Sequence, residues 1–524
     1  MSCKLPPEES PPCLEYLRLQ AEVLQFACKL VTPLYGGGVV AGTVDENMPI
    51  RATALRGQLR FWWRVAHRRN FQGVDGQVDT KKMFAAERAI WGGLGNNGED
   101  PVKSRVTLRT ADVSLPFRPE AAAEYHVKKD GGYPTFPTWK SWAGGKAGGY
   151  ALFPAQGKAS KQGVEVPPAK LLKPGAYWTL EIVFDGELEA EKRRQVETAL
   201  RWWATFGGLG ARTRRGLGAV EVHDMQGRLL APVSRAEAET AGCVLQLGQA
   251  QHKDAGNAWM AGIEALQMFR QGEKIGRNPG KEGRPGRSRW PEPDAVRRLT
   301  KKNSPQHAPE HKAGIVFPRA HFGLPIVMPF KDKKAGDPAD ANIKPPHAER
   351  MASPLLLRPY RTQEGWHPAA LALPRDHLNN LKVVLGRGEA EPSWPRDPRE
   401  QRRLAELIPP MQGRGDDPIT AFLHFFAEKN GARPSVSGPA ASPVFPQQQE
   451  TRRLEGVQIK YNPRNGSLEL KAKDGKSIFA IGDEAQRLWD SLPDSVRGRI
   501  RGGAYVRGNA TVRGNEVETL EVAS

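Results

Sequence analysis

Residues 50–69 read IRATALRGQLRFWWRVAHRR, and on a helix Arg56, Arg60, Arg64 and Arg68 recur every four residues as one cationic stripe. Arginine suits phosphate because its planar fork offers two parallel donors. Arg51 stands just ahead of the stripe. Leu55, Leu59, Trp62, Trp63 and Ala66 fall on the adjoining face, which predicts packing on a sheet, so both tryptophans are read as core. Gly57 costs about 1 kcal/mol against alanine in a helix interior, and is favoured where a backbone or ligand comes close. The second concentration is GGLGARTRRGLG at 207–218. Gly208, Gly210, Gly216 and Gly218 let a phosphate approach the backbone, and Arg212, Arg214 and Arg215 supply charge. The run has no GK[ST] and follows a helix, which excludes a nucleotide P-loop and a dinucleotide fingerprint. A polynucleotide backbone is the ligand it predicts. Gly36, Gly37 and Gly38 form a third feature, on a loop expected on the same side of the sheet as 207–218. The fourth is 270–302, where eleven bases, among them Arg284, Arg287 and Arg289, face four acids for a net of +7. Its glycines and prolines predict a mobile basic loop that orders on a partner.

Catalytic signals are thin. The sequence has no GxSxG and no HExxH, and Pro305 and Pro309 around His307 and His311 argue against a helical metal pair. Asp45 is the one carboxylate near the expected groove. No cofactor and no metal are expected. Cys3, Cys13, Cys28 and Cys243 form no CxxC pair, which suits a reducing cytosol.

The elements that must position these groups follow from periodicity. Residues 14–32 alternate apolar and polar as a first strand, and Thr53–Arg69 is helical. Strands are expected at Val106–Leu115 and Trp178–Phe184, a helix at Glu189–Thr205 and a strand at Ala219–His223. This order is the ferredoxin-like βαββαβ plan. A Gly/Pro-rich stretch at 117–174 is too long for a simple connection and reads as an insertion or functional loop. Between 243 and 435 a strand at Cys243–Gly248, a helix at Trp259–Arg270, strands near Phe322–Pro329 and Ala352–Arg358, and a helix at Ile419–Lys429 are compatible with a second such unit. PSVSGPAASPVFP (434–446) reads as a linker, and Asn465-Gly466 and Asp474-Gly475 signal hairpins in a small β-rich tail. VRGN occurs twice there, at 506–509 and 512–515, and is read as ladder turns rather than an RNA-binding Arg-Gly segment. The fold class is therefore α+β, with domains at 1–235 and 236–435 and an extension at 436–524.

Charge follows the same division. The chain of 524 residues carries a net of +19, of which 1–235 hold +9, 236–435 hold +8 and the tail +2. Nucleic acid is the leading polyanion for such a surplus. No apolar run approaches the ~18 residues of a membrane span, and MSCKLPPEESPP has no secretory h-region. A cytoplasmic protein is expected.

TPLYGGG (32–38), PIRATALRGQLRFWWR (49–64) and GGLGARTRRGLG (207–218) resemble the RAMP superfamily of CRISPR-associated proteins, and LRGQLRFWWR more narrowly resembles subunit one of the Cmr (type III-B) RNA-guided effector complex. GRSRWPEPDAVR (286–297), HFGLPIVMPF (321–330) and ERMASPLLLRPY (349–360) extend the likeness to about residues 25–360; the insertion and the tail have no match. The resemblance implies two ferredoxin-like domains in a non-catalytic subunit at the head of a filament, near the 3′ region of the guide RNA. It implies guide RNA, target RNA and other RAMP subunits as partners, in antiviral interference. Backbone subunits of the family cut with an aspartate in the loop after their first strand. Asp45 stands in a comparable place, but TVDENMPIR only partly matches; the rival reading is a RAMP endoribonuclease that cuts RNA itself through the Asp45 loop, with a divalent ion or a histidine such as His67.

Overall fold

YWTLEIVF, residues Tyr177–Phe184, buries every second side chain, as a strand with one face on a core must. In the computed structural model it is an inner strand of the first sheet. The structure describes residues 22–73, 76–95, 100–127, 132, 134–160, 162–280, 285–386, 388–434, 451–463, 467–472, 477–480, 482–504, 506–513 and 516–522. They fall into two units, Met1–Pro439 and Ala440–Ser524.

The first unit opens with β1 (Glu22–Leu30), α1 (Ala52–Ala66), α2 (Thr80–Trp91), β2 (Val106–Ser114), β3 (Tyr177–Phe184), α3 (Ala190–Phe206) and β4 (Val220–Asp224). The sheet order is β4-β1-β3-β2, antiparallel throughout, the ferredoxin-like arrangement with one added helix. Residues 14–21 of the expected first strand lie outside the described residues. Leu55, Leu59, Trp62 and Trp63 of α1 are buried against the sheet and α3. Rings of Trp62 and Trp202 stack at 5.9 Å, so both tryptophans are core.

The second half repeats the plan in part, with β5 (Val244–Leu247), α4 (Ala255–Gln271), α5 (Glu292–Thr300), β6 (Ile326–Met328), β7 (Ala341–Lys344), β8 (Leu355–Arg361), β9 (Trp366–Ala372), β10 (Lys382–Leu385), β11 (Ala390–Pro392) and α6 (Pro418–Lys429). Strands β5, β9 and β8 form a sheet in that order, covered by α4 and α6. A fourth strand is not found beside β5 among the described residues. Instead residues 430–433 pass it, with the Gln249 amide donating to the Asn430 carbonyl at 2.9 Å. Strands β6, β7, β10 and β11 make a separate small sheet. The two larger sheets share one core around α3, into which Tyr360 and Leu371 project beside Trp203 and Phe206.

The insertion is structured in its described part. Glu120–Ala121 pairs with Lys170–Leu171, Ala123–Glu124 with Thr138–Trp139, and Lys158–Ser160 with Gly163–Val166. A short helix, Gly145–Ala151, buries Ala147, Gly148 and Ala151, and its small residues allow close packing on Trp259 of α4. No helix among the described residues is long and apolar enough to cross a membrane.

The second unit is a five-stranded antiparallel sheet with two helices: β12 (Thr451–Asn462), β13 (Ser467–Lys471), β14 (Ser477–Ala480), α7 (Gly482–Asp490), α8 (Asp494–Arg501), β15 (Val506–Arg513) and β16 (Glu516–Glu521), in the order β14-β13-β12-β15-β16. The expected turns at Asn465-Gly466 and Asp474-Gly475 lie outside the described residues, and the strands flanking them pair antiparallel. Most of the linker at 434–446 also lies outside them. The first VRGN opens β15; the second lies partly beyond the described residues. Trp489 of α7 stacks on Tyr461 at 4.0 Å, a helical cover the hairpin signals did not reveal.

Candidate nucleic-acid interface

The two glycine loops meet. The chain leaving β1 at Val31 and the chain entering β4 are stitched together by backbone bonds. The Val31 amide donates to the Ala219 carbonyl at 2.8 Å, Gly218 to Pro33 at 2.8 Å and Ala211 to Tyr35 at 2.6 Å. The Thr32 hydroxyl donates to the Gly216 carbonyl at 2.7 Å and accepts from the Ala219 amide at 2.8 Å. The glycines are explained by this closeness. A Cβ on Gly210 would lie 2.5 Å from the Tyr35 carbonyl oxygen, and one on Gly37 3.1 Å from the Gly210 Cα. One on Gly216 would fall 2.5 Å from the Trp259 ring, one on Gly218 1.9 Å from the Leu209 oxygen, and one on Gly208 2.8 Å from the Leu217 oxygen. Gly36 is buried against Ala211, while Gly37 is exposed and Gly38 half-buried. The expectation that these glycines open the backbone to a phosphate is therefore corrected for Gly36, Gly208, Gly216 and Gly218, which serve internal packing. Only the rim around Gly37, Gly38 and Gly210 faces outward.

Three arginines are anchored on or against these loops. Arg51, the residue before α1, donates to the Gly37 carbonyl. Arg212 sits in the left-handed region at φ +60° and donates from Nε to the Ala151 carbonyl of the insertion at 2.5 Å. Arg214 donates to the Ser353 carbonyl and lies 5.9 Å from the Phe61 ring on α1. Burial lowers the pKa of Arg212 and Arg214, though a guanidinium keeps its charge near neutrality. Arg215 departs from the expectation. Its guanidinium is buried, Nη1 has no partner among the described residues, and burial first, then Arg270, pushes its pKa down to about 10. Its Nη1 is thus not offered to solvent, although the residue as a whole is half-buried.

The α1 stripe is partly engaged by a helix that periodicity reasoning had not placed. Glu87 and Trp91 are themselves four residues apart on α2, so the two stripes zip together. Arg60 and Arg64 both reach Glu87 Oε1, at 2.6 and 2.7 Å, and Arg56 donates to the Trp91 carbonyl at the C-terminus of α2, where a cation is favoured. Glu87 is 2% exposed. Arg68 pairs with Asp376 at 2.6 Å. Arg60 and Arg64 thus share one acid and Arg56 meets only a carbonyl, leaving a surplus of positive charge beside Gly57, which is exposed and where an added Cβ would meet nothing within 4 Å.

Asp45 lies in the loop before α1, where Oδ1 accepts the amides of Asn47 and Met48 at 3.0 Å each. Those amides, Met48 first, hold its carboxyl below the usual range, with a smaller contribution from Arg51. His67 caps the other end of α1, about 22 Å away along a fifteen-residue helix. The two cannot act on one phosphate.

The basic loop is also corrected. Arg284 lies outside the described residues. Arg287 bonds Asp294 at 2.9 Å and Glu310 at 3.2 Å, and Arg289 donates to the Lys274 carbonyl. Trp290 is buried, and 292–300 form α5. The described part of 270–302 is thus a built ion-pair network, not a free arm. The motif arginine Arg358 is likewise internal, donating to the Ala204 and Val220 carbonyls at 2.8 and 3.0 Å, with its pKa pushed by burial down to about 9. A cation site is suggested among the described residues only by His307, Asp332 and Asp337. There Asp337 already receives Arg297 at 3.1 Å, so a guanidinium supplies the positive charge.

Residues 27–221, the span holding both glycine loops and α1, match the family model of the RAMP superfamily. Over this span the chain is similar to RAMP-superfamily proteins. No curated protein matches the sequence. Among solved structures, apo Cmr1 from Pyrococcus furiosus is 14% identical, with 67% of this chain and 88% of that chain covered and a TM-score of 0.34. A chain of the type III-B Cmr-beta complex bound to cognate target RNA is 11% identical, with 74% and 99% covered and a TM-score of 0.36. A chain of a type IV-B CRISPR complex is 14% identical, with 38% and 90% covered and a TM-score of 0.24. Within 27–221, sequence reasoning missed Glu87 and Thr32. Asp79, which accepts the Lys82 amide as the cap of α2, was the available signal for the helix carrying Glu87.

Proposed function

We propose that this chain is a non-cleaving RNA-binding subunit of a type III-B CRISPR effector assembly in the cytoplasm. It holds guide and target RNA by their backbones near the guide 3′ region at the head of the filament, beside other RAMP subunits. The observation that carries the reading is the docking of the 36–38 and 207–218 loops, which gathers Arg51, Arg212 and Arg214 around an outward rim next to the α1 arginines. Arginines over exposed backbone fit a polyanion tracked without base readout, and sequence is then read by guide–target pairing. The RAMP match over 27–221 and the motifs LRGQLRFWWR and GGLGARTRRGLG support the setting. Asp45 Oδ1 accepts two turn amides, which gives the residue a structural place in its loop.

The test is the salt dependence of single-stranded RNA binding by the full chain. Each phosphate contact contributes a log–log slope of about −0.7. Arg51→Ala and Arg214→Ala should each flatten the slope by about that amount without altering sequence preference. If both variants keep the wild-type slope and affinity, the assignment fails.

A further inference from the structure

A cleft of about 810 Å³ opens between the insertion, the end of β1 and the N-terminus of α4, and nothing in the backbone-clamp reading uses it. Its walls are aromatic. Phe117 is 46% exposed, and Trp142 stands near it, for Lys173 Nζ lies 5.0 Å from one ring and 5.5 Å from the other. Its rim is cationic. Lys29 and Lys253 line the opening and make no ion pair among the described residues. Of the two acids there, Glu221 faces Arg361 at 3.2 Å, while Asp254 keeps its charge and turns its Oδ1 onto the Asn257 amide of α4 at 2.8 Å. The Ala255 and Gly256 amides opening this seventeen-residue helix have no acceptor among the described residues.

Flat aromatic faces beside ammonium groups and free amides are the chemistry of a nucleotide, with its base on the rings and its phosphate on the cations. The cleft also adjoins the glycine loops. Trp259, which lines it, donates its indole N–H to the Arg215 carbonyl at 2.7 Å, and Val31 on its floor leads directly into the 32–38 turn. We propose that this cleft receives one unstacked nucleotide of the bound single strand, its base against Phe117 and Trp142 and its phosphate on Lys29 and Lys253. The inference rests on the RNA-binding reading above. It gives the insertion a ligand-binding role in addition to its bracing contact with Arg212.

Photo-crosslinking the full chain to single-stranded RNA carrying 5-iodouridine, followed by peptide mapping, tests it. Cross-links are expected at Phe117 or Trp142. Phe117→Ala should lose the cross-link at position 117 and weaken RNA binding roughly fivefold or more at an unchanged salt slope, because the ring is neutral. Lys253→Ala should flatten the slope by about 0.7. Bound RNA that cross-links only around 36–38 or 207–218 overturns the cleft proposal and leaves the backbone clamp standing. RNA that is not retained even at low salt overturns both.

Discussion

The Ala211 amide donates to the Tyr35 carbonyl at 2.6 Å, and this bond joins two loops that lie 176 positions apart in the sequence. Their contact leaves no room for a side chain at Gly210, which also sits at φ +75°. Gly210→Ala should therefore cost about 2 kcal/mol or more and weaken RNA binding by parting the loops. Gly57 has the opposite setting, exposed on α1 with open space around it, so Gly57→Ala should stabilise by about 1 kcal/mol. Paired thermal melts and RNA titrations distinguish the two. A stable Gly210→Ala with native affinity would show that the loops are not held together by this contact.

Glu87 links stability and affinity in opposite directions. It is buried and accepts Arg60 and Arg64 at 2.6 and 2.7 Å, while those arginines are 30% and 38% exposed. Solvent screening at the arginine end limits the loss in Glu87→Gln to about 1–2 kcal/mol. The freed guanidiniums become available to phosphate, so the salt slope should steepen by up to about 0.7 per arginine. A variant that loses stability but binds RNA less steeply would place the stripe away from the RNA.

Periodicity made the first sheet and its helices legible because these elements alternate or repeat cleanly, as YWTLEIVF and the Leu/Trp face of α1 do. Strand β9 was hidden by Pro368 within WHPAALA, since proline argues against an inner strand. Here Pro368 stands opposite Pro359 of β8, and its carbonyl accepts the Gly248 amide at 2.8 Å, so the missing donor disrupts little. Sequence placed the arginines correctly on α1, yet not their partners, because Glu87 and Asp376 reach them only through tertiary packing. The same limit made Gly208 and Gly216 look like phosphate glycines when Leu217, Gly218 and Trp259 occupy the space around them.

Acid sensitivity should arise at His321. It is 5% exposed, its Nδ1 has no partner among the described residues, and burial pushes its pKa down to about 4. A depressed histidine is neutral in the fold and charged more readily when unfolded. Its stabilisation is therefore complete above the ordinary value of 6.5 and is lost as pH falls toward 4. Between pH 7 and pH 5 the loss is of order 2 kcal/mol. Most carboxylates are not yet titrating there, so the melting temperature of the native chain should fall more steeply over this window than that of His321→Gln. Parallel slopes would show that burial does not keep His321 neutral.

Asp45 separates the binding and cleaving readings most directly. Its Oδ1 holds the Asn47 and Met48 amides, and these keep it ionised well below neutral pH. A general base needs a free lone pair within hydrogen-bond reach of the attacking hydroxyl, and a second group must protonate the leaving oxygen. His67 is a helix length away at the far end of α1, and burial lowers its pKa. Asp45→Ala should accordingly relax the 36–48 loop and lower RNA affinity a few-fold through Arg51, which is fixed to Gly37 in that loop. Labelled RNA incubated with the full chain and Mg²⁺ should stay intact with either protein. Cleavage by the native chain that disappears in Asp45→Ala would instead make this loop an active site and overturn the non-cleaving assignment.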